Sequence, residues 1–121
     1  AMLIEPIQGN CCGIAARADY VHLARKLCDD YGVMLVIDEV KTGFRVGKSG
    51  VQGLLGVRPD ITTFAKAMGN GYPIAAVAGR EDVMRTFRPG GASHGGTYTA
   101  HSVSLAAAEE IDGLGIQRAT F

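Results

Sequence analysis

Two charged side chains in this 121-residue chain stand directly behind apolar runs. Asp38 follows Val33-Met34-Leu35-Val36-Ile37, and Lys66 closes the stretch that begins at Ile61 and runs through Phe64 and Ala65. If the two runs are neighbouring parallel strands, their carboxyl ends lie on one side of the sheet, where open α/β sheets place their ligands. The 28 positions between the two residues then do not prevent them from facing one crevice. A lysine there can form a Schiff base with a carbonyl, and a carboxylate can keep a ring nitrogen protonated, the division of labour of a pyridoxal-phosphate enzyme. Spacing alone favours an ordinary ion pair, or two solvated strand ends, over that chemistry.

The elements that would hold these residues follow from local pattern. Met2-Leu3-Ile4, closed by Glu5-Pro6, predicts a short buried strand, because proline cannot continue a central ladder. Residues 9–13 predict a loop. Over residues 19–31, Val21, Leu23, Ala24, Leu27, Cys28 and Tyr31 recur at three- and four-residue steps, which predicts an amphipathic helix with Asp19 as N-cap and Gly32 just past its end. Residues 33–37 are apolar without alternation, as in a strand buried on both faces of a parallel sheet. A glycine-punctuated segment holding one short helix at 51–55 separates this strand from a second at 61–64. A turn at Gly69-Asn70-Gly71 precedes a third strand at 74–78, close enough behind to pair antiparallel with the second. Helices are expected at 81–87 and 102–114, on either side of a glycine-rich loop at 89–96. This order predicts an α/β fold with a mostly parallel sheet and flanking helices. About four strands would leave sheet edges and a face uncovered, so the expectation is an excerpt of a larger domain.

Composition narrows the function class. Twelve Lys+Arg balance twelve Asp+Glu, which argues against a surface for nucleic acid or other polyanions. With 47% hydrophobic residues the chain is suited to a packed core. The longest apolar run is five residues, far short of the roughly 18 a membrane-spanning helix needs, so no membrane association is expected. The start of the chain carries no secretory-signal pattern and reads as the middle of a protein. Cys11, Cys12 and Cys28 are odd in number and form no Cys-x-x-Cys pair, so they are expected as buried or half-buried free thiols in a reducing, cytoplasmic setting, with no metal site.

The wording around the two charged residues is more specific than their spacing. Glu5-Pro6-Ile7-Gln8-Gly9, the run from Ile37 to Arg45 that contains Asp38-Glu39-Val40, the run from Pro59 to Gly69 that contains Lys66, Gly71-Tyr72-Pro73-Ile74, and His94-Gly95-Gly96-Thr97-Tyr98-Thr99 occur in that order. In this the chain resembles the class III pyridoxal-phosphate aminotransferases, and within them the glutamate-1-semialdehyde aminomutase-like branch. The resemblance spans residues 2 to about 115 and implies the central part of a fold-type I large domain, without the N-terminal part and the C-terminal small domain. It further implies pyridoxal 5'-phosphate as cofactor and a small-molecule amine donor and carbonyl acceptor as substrates.

Residue by residue, the resemblance implies that Asp38 pairs with the pyridine nitrogen, that Val40 packs against the ring from the same side of an extended strand, and that Lys66 is the Schiff-base lysine and later the proton-moving base. It implies that Thr97, with Gly96 beside it, binds the cofactor phosphate of the neighbouring subunit, hence a homodimer. Glu5 resembles a position near the site, although a strand-end acid would serve as well. Arg45 competes between the site entrance and a solvated loop, and His94 between a site contact and solvent. His22 and His101 read as structural or surface residues. Two departures from the family pattern stand out: Ala100-His101-Ser102 replaces a usual Gly-Asn-Pro, and Asn70 replaces a glycine often found after the lysine. Transamination and intramolecular amino migration stay equally open. A non-catalytic remnant is the alternative from another class; a nucleotide-binding domain lacks its glycine pattern here.

Overall fold

The computed structural model describes residues 1–113. Its main sheet has four strands in the order β1-β4-β5-β6. These are β1 (Met2–Ile4), β4 (Leu35–Asp38), β5 (Ile61–Ala65) and β6 (Ala75–Gly79). β1, β4 and β5 run parallel, and β6 returns antiparallel to β5 across five register pairs, from Ile61↔Gly79 to Ala65↔Ala75. The mostly parallel α/β sheet and the antiparallel third strand expected from the sequence are thus present. A small hairpin, β2 (Ile7–Gln8) with β3 (Ile14–Ala15), brackets the loop at 9–13. Two-residue strands carry too little pattern to be read from sequence.

Helix α1 (Ala18–Asp30) covers one face of the sheet. Its Val21, Ala24 and Cys28 meet Ile4, Leu35, Ile37 and Val57 in one apolar core. The N-cap is Arg17, with no side-chain capping bond, rather than the expected Asp19. Asp19 falls inside the first turn instead, where it accepts from the Arg17 guanidinium and suits the positive end of the helix dipole. The strand expected at 33–37 begins two residues later, because the Val33 amide is still bonded to the Cys28 carbonyl at the helix end. Nor is β4 buried on both faces: Leu35 and Ile37 are fully buried against α1, while Val36 and Asp38 alternate to a half-buried face.

Beyond β4 the chain turns through residues 40–45 and enters the short helix α2 (Gly50–Leu55). α3 (Glu81–Met84) is shorter than expected and passes into turns by Phe87. α4 (Ser102–Gly113) starts where predicted; Leu114, its expected last residue, lies outside the described residues. His101 caps it, its Nδ1 lying 2.8 Å from Ser104 Oγ and accepting from the Ser104 amide, which bears out a structural role for this histidine.

The sheet is pinned below its functional end by Asp60. This buried carboxylate accepts from Arg25 Nη1 at 2.8 Å, from Arg80 Nη1 at 2.8 Å and from the Leu35 amide at 2.7 Å. Burial is the largest single influence and opposes the charge. The hydrogen bonds from Arg25, the Leu35 amide and Arg80 prevail together, and hold the carboxyl below its ordinary range.

Candidate functional site

Asp38 ends β4, and its register partner on β5 is Thr63. Lys66 lies three positions beyond Thr63, past the end of β5, so the two candidate residues stand at the carboxyl ends of adjacent parallel strands. Lys66 opens a single 3₁₀ turn, Lys66–Gly69, with φ of 51°. A left-handed conformation is costly for any residue that carries a Cβ, and such outliers gather at functional sites. The lysine is exposed and makes no ion pair or hydrogen bond among the described residues.

An open cleft of about 730 Å³ is lined by Phe44, Arg45, Lys66, Ala67, Asn70, Gly71 and Tyr72. Arg45 lines the cleft that holds Lys66 and is itself exposed, so it fits both of its sequence-based readings. Phe44 adopts a φ of 61° and sets its ring 5.3 Å from that of Phe64, tilted by 51°. Gly43 makes this approach possible, since a Cβ there would lie 2.6 Å from the Phe64 ring.

Asp38 is half-buried, and its Oδ1 accepts from the Val40 amide at 2.8 Å. That bond bends the chain immediately after the strand in the manner of an Asx turn. Val40 is consequently the first residue of a turn and not a continuation of an extended strand, so the same-side relation to Asp38 expected from alternation does not hold. Oδ2 of Asp38 takes no hydrogen bond among the described residues. The cleft around Lys66 does not include Asp38 or Val40 in its lining. Gly96 and Thr97 line a different hollow, of about 970 Å³, together with His94, Tyr98 and His101. The chain thus brings Asp38 and Lys66 to the carboxyl end of the two central strands and leaves Gly96 and Thr97 apart from them.

The residue that organises the loop between the two candidates is one the sequence argument passed over. Glu39 is fully buried. Its Oε1 accepts from the Gln52 amide at 2.8 Å, its Oε2 accepts from the Thr42 hydroxyl, and its own amide bonds the Thr63 carbonyl of β5 at 2.9 Å. Gln52 Oε1 in turn accepts from Thr62 Oγ1 at 3.1 Å, so one polar chain links the end of β4, the loop, α2 and β5. Gly50, at φ of 63°, leaves room for the carboxylate; a Cβ there would lie 2.5 Å from Glu39 Cδ. The sequence shows only a second acid beside Asp38; its burial, which obliges it to find partners, is seen only in the fold. Glu5 also acts locally: its Oε1 accepts from the Gly9 amide at 3.0 Å and closes the entry to the β2–β3 hairpin.

Cys28 is buried, but Cys11 and Cys12 are exposed, contrary to the expectation of buried or half-buried thiols, because both sit on the turn between two-residue strands with no core beneath them. His22 is exposed, as is His94, whose ring meets Phe87 edge-on at 6.2 Å. No helix among the described residues is long and apolar enough to cross a membrane.

Known proteins share this chain's sequence pattern and fold. The chain is 48% identical over 107 residues to glutamate-1-semialdehyde 2,1-aminomutase of Caldivirga maquilingensis, covering 88% of this chain and 25% of that protein. Among solved structures it is similar to an omega-transaminase from Sphaerobacter thermophilus, with a TM-score of 0.80 and 34% identity over 93% of this chain and 26% of the other. A transaminase with PLP bound gives a TM-score of 0.83 and 35% identity, over 95% of this chain and 28% of that one. The chain spans about a quarter of the length of the curated relatives it matches. The profile described as aminotransferase class-III matches residues 1–114, across both strand ends and the Gly96-Thr97 segment, and the chain belongs to that family.

Proposed function

We propose that the chain is a central portion of the cofactor-binding domain of a pyridoxal-phosphate-dependent aminotransferase, with Asp38 and Lys66 at its reacting centre. The observation that carries this reading is the parallel pairing of β4 and β5, which sets the carboxylate and the lysine at the carboxyl end of adjacent strands. The donor set fits the cofactor: Lys66 is unpaired among the described residues, and Asp38 keeps Oδ2 free of hydrogen bonds among them. Pyridoxal phosphate, when bound, supplies an electron sink for the charge left on a substrate carbon. Asp38 would pair with the ring nitrogen and keep it protonated. Lys66 Nζ would hold the cofactor and serve as the base that moves a proton at the reacting carbon. By the family resemblance Val40 would lie against the ring even though it begins a turn here, and Thr97 with Gly96 would donate to the phosphate of a partner subunit in a homodimer. The substrates are a small amine donor and a carbonyl acceptor, and the exposed thiols of Cys11 and Cys12 favour a cytoplasmic setting.

The test is borohydride reduction of the complete protein followed by peptide mapping, which is expected to recover the pyridoxyl group on Lys66. Recovery on Lys26, Lys41 or Lys48 overturns the assignment. A second reading, amino migration within one substrate, is favoured by the identity to an aminomutase. Conversion of a single aminated aldehyde with no second carbonyl compound present distinguishes it from transfer between two molecules.

A further inference from the structure

We propose that Cys11 and Cys12 form a vicinal dithiol site for a soft, thiophilic ion that takes two thiolates, trivalent arsenic being the representative case. The two cysteines are consecutive, and both are exposed on the turn between β2 and β3. That turn is held from several sides. The Cys11 and Gly13 amides both donate to the Gln8 carbonyl at 3.1 Å, and the Gly9 amide donates to Glu5. Asn10 Oδ1 accepts from Lys41 Nζ, which ties the turn to the loop that follows Asp38. The two thiols therefore start from a constrained backbone, so less freedom is lost when both engage one ion.

Chemistry selects among the possible uses of such a pair. A disulfide between neighbours is disfavoured, since a trans peptide holds their Cα atoms about 3.8 Å apart, below the range in which disulfides are usually found. A tetrahedral zinc site needs more ligands than the pair provides, and no group of three or more His, Cys, Asp or Glu that could hold a metal occurs among the described residues. A trigonal ion needs only two sulfurs and one outside ligand. It bridges them without drawing the sulfurs to bonding distance, and thiolates are the soft donors it prefers. With an aryl arsenoxide the step is a condensation: two S–H bonds break, two As–S bonds form, the arsenic-bound oxygen leaves as water with both protons, and no redox change occurs.

The experiment titrates the complete protein with phenylarsine oxide and reads adduct mass and reversal. Expected is one adduct per chain bridging Cys11 and Cys12, unaffected by Cys28→Ser, stripped by 2,3-dimercaptopropanol and resistant to a monothiol at equal thiol concentration. Cys11→Ser and Cys12→Ser are each expected to weaken retention about a hundredfold or more, because the second sulfur then no longer binds intramolecularly. Retention unchanged in either single variant, or no adduct on the folded wild-type protein, overturns the proposal. Circular dichroism of the two surface-turn variants checks that they fold as the wild type does. The outcome is independent of the cofactor assignment, which the borohydride label reads separately.

Discussion

At Asp38, Oδ1 takes the Val40 amide and starts the turn toward the cleft, and Oδ2 takes no hydrogen bond among the described residues. Asp38→Asn retains an oxygen able to accept the Val40 amide but removes the charge, so fold and loop are expected to persist while turnover drops by about a hundredfold or more, as when a preorganised electrostatic contact to the reacting centre is lost. Turnover within a few-fold of wild type, measured on protein with unchanged far-ultraviolet dichroism, rejects the pairing with the ring nitrogen. The position of Asp38 was legible because a charged residue ending an apolar run is itself a pattern. The role of Glu39 was not, because its partners, Gln52 and Thr42, have no periodic relation to it and meet it only once the loop has folded. Val40 shows the same limit from the other side: alternation predicts its face only while the strand continues, and Asp38 ends the strand through its own side chain.

Among the elements, the long-range order of strands and helices was readable and their joints were not. Apolar runs of four or five residues and a 13-residue helix carry enough periodicity to be recognised. The hairpin, the 3₁₀ turn at Lys66 and the shortened α3 depend on single hydrogen bonds and left-handed residues that leave no periodic trace. The clamp at Asp60 belongs to this scale because it joins α1 through Arg25, β4 through Leu35 and the residue after β6 through Arg80. Asp60→Asn strips the charge that balances two guanidinium groups, one of them largely buried, and is expected to cost about 3 to 5 kcal/mol in chemical denaturation of the complete protein. Its carboxyl titrates below the ordinary range in the folded state. Its stabilisation is therefore complete above the unfolded carboxylate pKa of about 3.9 and is lost as pH falls through the lower folded value. Wild-type stability is expected to fall more steeply than that of Asp60→Asn in this acid window. Parallel curves would remove Asp60 from the acid response.

For the whole molecule, the surface of the described residues matters as much as the core. Leu3, Leu23, Leu27, Tyr31 and Leu54 stand more than 40% exposed, and β1 and β6 are sheet edges open to further contacts. Gly96 and Thr97 fall in a hollow separate from the cleft at Lys66, so a single copy of these residues does not assemble all the proposed cofactor contacts around one site. If Thr97 serves the partner's site, each site draws donors from two chains, and cofactor affinity depends on assembly. Thr97→Val keeps the shape but removes the hydroxyl donor, and is expected to weaken cofactor binding by about 1.5 to 3 kcal/mol, the range for a hydrogen bond to a charged group. Mixing Thr97→Val subunits with Lys66→Ala subunits separates the two placements. Across an interface, the one site with an intact lysine takes its threonine from the Lys66→Ala chain, and activity is expected to return in the mixed dimer. Within a single chain, the only site with a lysine still carries valine, the other has no lysine, and activity stays at the level of the Thr97→Val protein diluted by an inactive partner.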